Sequence, residues 1–378
     1  MDRETKDNGE KKKTFFAAPI FIVVCIIIGF FGGTLFGKLT EGSNFEAVDI
    51  VVLLIIALVS FYATIIIHEC GHLVMGMCTG YKFVSFRVGS LMIADENGRL
   101  VRKKFSIPGT AGQCIMTHDL VRDPSEIKFF WYHFGGVFFN IITALLFGSA
   151  AAFMGEGLLR MIFIVFASIS LIQGILNIIP MNASVPNDGM NILVQYKSPE
   201  KRVVMANILA ANGLMHKGIS PADLPDEYLI TADENGDSPF CDLCILKAMN
   251  LMYKHDHEAA ERMFTSLSEN SKMAEIQRNE CRCDLLYCMI MLQRDKAEIE
   301  KLYSEMKNYI KQMEKYAVGR HRLMYAYYKL VQNDDQKAQA ELAAAEKMAD
   351  TYPLRSEFEE EMKLIKYIDA VSKHGVTE

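Results

Sequence analysis

The chain divides by the spacing of its hydrophobic positions. Over residues 15–195 apolar side chains run on in long stretches, whereas over 196–378 they recur at three- and four-residue steps among Lys, Glu, Asp and Gln. An unbroken apolar run of about 20 residues matches a hydrocarbon core roughly 30 Å thick. Apolar residues at three- and four-residue steps instead mark a helix with one face to a core and the other to water. Four runs are long enough to span, beginning near Phe15, Ile50, Phe129 and Met161, and residues 15–37 and 129–155 contain no Lys, Arg, Asp or Glu. The first follows Lys11-Lys12-Lys13. It is longer than a signal-peptide core and lacks a small-residue cleavage site, so it reads as a retained anchor.

Between the second and third runs the period changes to two. Residues 83–88 (Phe-Val-Ser-Phe-Arg-Val) and 98–102 (Gly-Arg-Leu-Val-Arg) alternate apolar and polar, with Asp95-Glu96-Asn97-Gly98 between them as turn chemistry. A small β-hairpin at the membrane surface is expected. In the C-terminal half an internal repeat is visible: Asp256, Asp295 and Asp334 are 39 residues apart, each in a polar turn. The same offset aligns Met252, Met291 and Leu330, and also Phe264, Tyr303 and Leu342. Three helix hairpins follow, of a kind that stacks into a solenoid because one hairpin cannot bury its apolar face alone. The expected architecture is an α-helical polytopic membrane domain of four spans, carrying the hairpin and followed by a cytoplasmic α-solenoid. Its parts are a basic tail (1–14), a membrane domain (15–195) and a helical-repeat domain similar to tetratricopeptide repeats (196–378).

Charge sets the orientation. Arg3, Lys6 and Lys11–Lys13 precede the first run, and Lys82, Arg87, Arg99, Arg102, Lys103, Lys104, Arg122 and Lys128 lie between the second and third. The opposite loops hold little beyond Lys38 and Arg160. Positive charge near span ends stays cytoplasmic, so both termini are expected inside. The net charge of −6, with no concentrated basic face, argues against a nucleic-acid partner. Nine scattered cysteines form no secreted disulfide framework. Cys241, Cys244, Cys281 and Cys283 are candidates for a second zinc site, weighed against ordinary burial of small apolar thiols.

The chemistry concentrates in His68-Glu69-Cys70-Gly71-His72, at the end of the second run. Residues four apart share one helix face, so His68 and His72 can offer imidazole nitrogens to one tetrahedral zinc. Glu69 beside them is placed to take a proton from a water whose pKa such a metal lowers to roughly 7. An ionisable group within a spanning helix costs about 2.5–3.5 kcal/mol on insertion scales, so three in five positions imply a task. A third ligand must come from elsewhere. The second and fourth runs both proceed inward, which brings Asp188, shortly after Asn177-Ile178-Ile179-Pro180, to the same side as His72. The alternative for Asp188 is a plain Asp-Gly turn. His118 and His133 have no spaced partner and read as packing residues.

These motifs, with Asn177-x-x-Pro180 and Pro186-x-Asp188-Gly189, resemble the site-2 protease family of intramembrane zinc metalloproteases over about residues 50–195. The resemblance implies one Zn2+ per chain held by His68, His72 and Asp188, with Glu69 as catalytic acid/base. It also implies a substrate that spans or contacts the membrane, cut near its cytoplasmic side. The family's Gly-Pro-x-x-Asn element is matched by Gly136 and Asn140, but Val137 replaces the proline. Asn140 is a candidate to donate to the scissile carbonyl or hold the substrate strand, with a helix–helix hydrogen bond as the other reading. The separation of Pro180 from Asp188 is longer than in the compact family motif. The expected setting is a bacterial plasma membrane, with a possible protein partner on the helical repeats. A non-catalytic scaffold that recruits partners through those repeats is the alternative; metal transport is weaker, since only one ligand cluster is visible.

Overall fold

The computed structural model describes residues 47–105, 110–181, 186–231, 233, 236–237 and 239–374. The first apolar run and the basic tail lie outside the described residues. Among those described, three helices are apolar and long enough to cross a membrane, over Val51–Cys78, Pro124–Ala152 and Leu158–Ile178. They correspond to the second, third and fourth runs. The chain forms two compact units, one of residues 1–75 and 130–193, the other of 76–129 and 194–378.

The first unit holds α1 (Ala47–Cys78) up to Met75, α2 (Phe129–Ala152) from Phe130, α3 (Leu158–Ile178) and the start of α4 (Asp188–Lys197). Most of the helix surface is apolar and exposed, with Leu54, Leu145 and Leu146 among the barest side chains. Polar groups turn inward instead. The Ser170 hydroxyl donates to the Asn140 carbonyl at 2.9 Å and joins α3 to α2. Gln173 Nε2 donates to the Phe61 carbonyl at 3.2 Å and joins α3 to α1. The tightest contact is between Gly71 of α1 and Gly135 of α2, where a Cβ on either residue would overlap the other's carbonyl. Small residues at such crossings let two backbones meet directly.

The second unit begins with an antiparallel sheet of β1 (Lys82–Val88), β2 (Leu91–Glu96), β3 (Arg99–Lys104) and β4 (Gly112–Thr117), in the order β3-β2-β1-β4. The two stretches expected to pair as a hairpin are β1 and β3, and they do not pair: β2 lies between them, and the expected turn joins β2 to β3. That turn, Asn97-Gly98, has positive φ at both residues (53° and 79°), the geometry that a two-residue hairpin needs. A second tight reversal at Gly89 (φ 57°) makes β1 and β2 separate strands, and β4 closes the other edge of β1. One sheet face packs on α5 (Pro199–His216): Thr117 Oγ1 donates to the Leu209 carbonyl at 2.9 Å, and a Cβ on Gly213 would strike Thr117. The sheet thus belongs to the same compact unit as the helical half, not with the spanning helices, and the units do not divide at residue 195.

Beyond α5 come α6 (Phe240–Tyr253), α7 (His257–Ser268), α8 (Glu275–Met291), α9 (Lys296–Met313), α10 (Val318–Ala326), a π-helical stretch over Tyr327–Val331, α11 (Asp335–Glu346) and α12 (Arg355–His374). The three spaced aspartates each cap the second helix of a pair. Asp256 accepts from the Ala259 amide at 3.1 Å, Asp295 from Ala297 and Glu298 at 2.9 and 3.2 Å, and Asp334 from Lys337 at 3.0 Å. Left-handed residues His255, Gln293 and Asn333 precede them and end the first helix of each pair. Met252, Phe264 and Met291 are buried, and Leu330, Tyr303 and Leu342 pack against the same core, so the 39-residue offset marks equivalent places in three consecutive helix hairpins. Replacing Asp295, which caps two amides, with Ala is expected to weaken α9 by about 1 kcal/mol. Hydrogen exchange in the first turn of α9 should quicken accordingly, and unchanged exchange would count against the cap.

A buried charge cluster ties this unit across its length. Arg322 donates to Asp284 of α8 at 2.6 Å and to Glu361 of α12 at 3.0 Å, and its guanidinium lies 4.2 Å over the Tyr287 ring. The cysteines considered for a second zinc site lie in the same core. Cys241, Cys244, Cys281 and Cys283 are buried, and they form no metal-holding group among the described residues. Burial pushes the Cys241 thiol up to about 12 and that of Cys283 to about 11, so they are packed as neutral apolar side chains.

Candidate metal centre

Helix α1 carries His68, Glu69 and His72 as residues of one continuous helix, all three buried. The two imidazoles meet edge to face one turn apart, their Nε2 atoms 3.1 Å from each other. Asp188 reaches both: its Oδ2 is 3.0 Å from His68 Nε2 and its Oδ1 3.4 Å from His72 Nε2. The ligand atoms of His68, His72 and Asp188 all lie within 4.8 Å of one another, and among the described residues no other group of this kind is gathered.

The long step from Pro180 to Asp188 is closed by Asn187. Its Nδ2 donates to the carbonyls of Leu176 and Ile179 at 2.9 and 2.7 Å, while its Oδ1 accepts from the amides of Met181 and Met190 at 3.0 Å each. One side chain therefore binds the end of α3 to the first turn of α4 and fixes where Asp188 begins that helix. Gly189 is required by the same geometry, since a Cβ there would overlap the Ile178 carbonyl. Asp188-Gly189 is thus a helix start pressed on the end of a span rather than a surface turn. The intervening 182–185 lie outside the described residues.

Both histidines are held from behind. His72 Nδ1 is 2.8 Å from the Tyr132 carbonyl of α2, an acceptor that fixes the proton on Nδ1 and leaves the Nε2 lone pair facing Asp188. His68 Nδ1 lies 3.3 Å from the Asn140 amide, which is fully buried and has its Oδ1 otherwise unpaired. Turning that amide half a turn, which leaves its shape unchanged, lets Oδ1 accept from Nδ1–H and gives His68 the same tautomer as His72. A Cβ on Gly136 would meet the His68 ring at 2.5–2.7 Å, so this position closes off the ring's side.

The donor set tests whether a cation fits. When both rings are neutral with the proton on Nδ1, two imidazole lone pairs and a carboxylate converge, and the buried Asp188 Oδ2 has no hydrogen bond. Acceptors packed this closely repel one another unless a cation stands among them. Two nitrogens and a carboxylate oxygen, with a fourth position open, match the ligand preference of a catalytic zinc.

His133, read from the sequence as a packing residue, is buried and near enough to Asp188 and His72 to feel their charges. A lone histidine one residue after Tyr132 carries no spacing signal. His118 packs edge-on against Tyr81 with ring centroids 5.0 Å apart and takes no part in the site. Comparison of the chain with protein-family models, with curated proteins and with solved structures returned no match.

Proposed function

We propose that this chain is an intramembrane zinc metallopeptidase, similar in its motifs to site-2 proteases, that hydrolyses peptide bonds of membrane-spanning or membrane-associated substrates. The observation that carries this reading is the meeting of His68, His72 and Asp188 beside Glu69 on helices long and apolar enough to cross a membrane. A zinc ion at this site would act as a Lewis acid on the scissile carbonyl and lower the pKa of the attacking water. Glu69 takes the proton from that water as its oxygen bonds to the carbonyl carbon. It then gives the proton to the nitrogen as the C–N bond breaks, leaving an amine and a carboxylic acid, whose remaining proton passes to the amine to give ammonium and carboxylate. Asn140 acts as a positioning residue behind His68. A helical substrate hides its carbonyls in its own hydrogen bonds, so a segment must unwind first. The sheet edges β3 and β4 can pair with such a segment.

The same reading has four spans with both termini cytoplasmic, in a bacterial plasma membrane, and three helix hairpins forming a short solenoid that receives a substrate tail or a protein partner. Metal analysis of the protein purified in detergent tests its centre. One zinc per chain is expected in the parent, with loss in His68→Ala, His72→Ala and Asp188→Ala. A parent without zinc sinks the reading and leaves the non-catalytic scaffold. Asn140→Leu is expected to weaken zinc binding about 10- to 100-fold, as removal of outer-shell partners does. Asn140→Asp keeps an acceptor and should retain most of the affinity; equal loss in both would assign Asn140 another role.

A further inference from the structure

The sheet buries cations and exposes apolar side chains. Cross-strand pairing puts Ser85 beside Ala94 and Arg87 beside Met92 on one face, and continues that row from Met92 to Lys103. All five of these side chains are buried, the two cations included. Arg87 is satisfied there by the Gly89 carbonyl at 2.8 Å, and Lys103 by the Tyr352 carbonyl at 2.8 Å and by Glu96. The opposite, exposed face is apolar as well. Leu91 is 43% exposed, Ile93 40% and Leu100 71%, with half-buried Phe86 and Val88 alongside. A sheet covering a core with one face and meeting water with the other has a polar outer face.

Two exposed cations complete this outer face. Lys104 is the cross-strand partner of Leu91, and Arg102 of Ile93. Neither is in an ion pair among the described residues. The one acid on the face, Asp95 opposite Leu100, has its Oδ1 buried. Exposed aliphatic tips interleaved with exposed Lys and Arg fit neither bulk water nor a bilayer interior. They fit the boundary, where side-chain tips enter the acyl region and cations stay among headgroups. Only Thr79, Gly80 and Tyr81 separate the end of α1 from β1, a reach of about 14 Å.

We infer that the outer face of the sheet, formed by Phe86, Val88, Leu91, Ile93 and Leu100 with Arg102 and Lys104, docks on the surface of an anionic bilayer. Arg102 and Lys104 bind the headgroup phosphates there. This docking rests on the apolar helices lying in a membrane and not on the metallopeptidase reading. Anionic headgroups attract juxtamembrane cations and fade with salt, which gives the contact a signature that an apolar protein interface lacks.

The test uses the full chain in nanodiscs of phosphatidylcholine with and without phosphatidylglycerol. Trp131 is the only tryptophan, so Leu100→Trp in a Trp131→Phe background reports from the face alone. Its emission is expected to be quenched by bromine-labelled lipid, severalfold more when phosphatidylglycerol is present, and less as salt is raised. Arg102→Gln with Lys104→Gln should remove the dependence on phosphatidylglycerol; the salt series gives the same information without those variants should they fold poorly. Equal quenching in both lipids would overturn recognition of anionic headgroups. Free access of iodide to the introduced indole in both discs would overturn docking altogether. Shielding from iodide without quenching by lipid would mean that protein, a second copy or a substrate, covers the face, which also overturns the proposal.

Discussion

Glu69→Gln should retain zinc and lose cleavage. Glutamine keeps the shape of the side chain but cannot accept and return a proton, so the loss falls on the chemical step. Positioned acid–base groups contribute about 10²- to 10⁴-fold, and a fall of that size in kcat with little change in KM is expected. Glu69 is buried beside His68 and feels the charge environment of His72, but it is outside the group of ligand atoms formed by His68, His72 and Asp188. Retained zinc with lost turnover therefore separates its role from theirs. Zinc at one per chain in parent and variant, with equal cleavage by both on a panel of membrane peptides, would leave the metal site standing and refute the hydrolytic step. Loss of zinc in the variant would make Glu69 a ligand.

The site was legible where side-chain chemistry repeats at a fixed spacing. His68 and His72 are four residues apart on a helix, which fixes their common face without any tertiary knowledge. Asp188 was reachable because the orientation expected from the charges ends the second and fourth runs on the same side. What supports them was not legible. The acceptor for His72 Nδ1 is the Tyr132 carbonyl, and a main-chain oxygen leaves no mark in the sequence. Asn187 carries no spacing signal of its own. Its four hydrogen bonds depend on the end of α3 and the start of α4 being side by side, a tertiary fact.

The fold followed the same rule. The three capping aspartates were visible because each helix start needs an acceptor for its free amides, and the need recurs with the repeat. The sheet was only half visible. Asn97-Gly98 announced its turn through residues that tolerate positive φ, but Leu91-Met92-Ile93-Ala94 is a short apolar run without alternation. It lacks alternation because the exposed face is itself apolar, and a period-two reading assumes a polar outer face. Gly112-Gln113-Cys114-Ile115-Met116-Thr117 failed for the related reason that most of it is at least half-buried. The grouping of the sheet with the helical half follows from contacts such as Asn97 N–H to the His216 carbonyl at 3.3 Å, between residues far apart in sequence.

On the metallopeptidase reading, a single methyl group at the crossing of α1 and α2 is expected to cost the site its metal. Gly71 lies between the two histidine ligands in sequence, and the Gly71→Ala methyl would meet the Gly135 carbonyl and come within 2.9 Å of Gly136 Cα. Both obstacles are main chain, so no side chain can swing aside. Restoring ordinary contact, about 3.5–4.0 Å between carbons, must separate the helices by roughly 1 Å. Helix α2 carries everything that holds the ligand rings from behind: the Tyr132 carbonyl, the Gly136 surface and Asn140. A shift of that size breaks hydrogen bonds that begin at 2.8 and 3.3 Å. Zinc affinity should fall by at least about 10- to 100-fold, and a misplacement near 1 Å costs about another 10²-fold in turnover. Gly148→Ala, on the same helix α2, is the control. A Cβ there meets only Ala167 Cβ at 3.9 Å, an ordinary contact, and the variant should bind zinc as the parent does. Equal zinc content in Gly71→Ala and Gly148→Ala would show that the close crossing is not what holds the ligands in register.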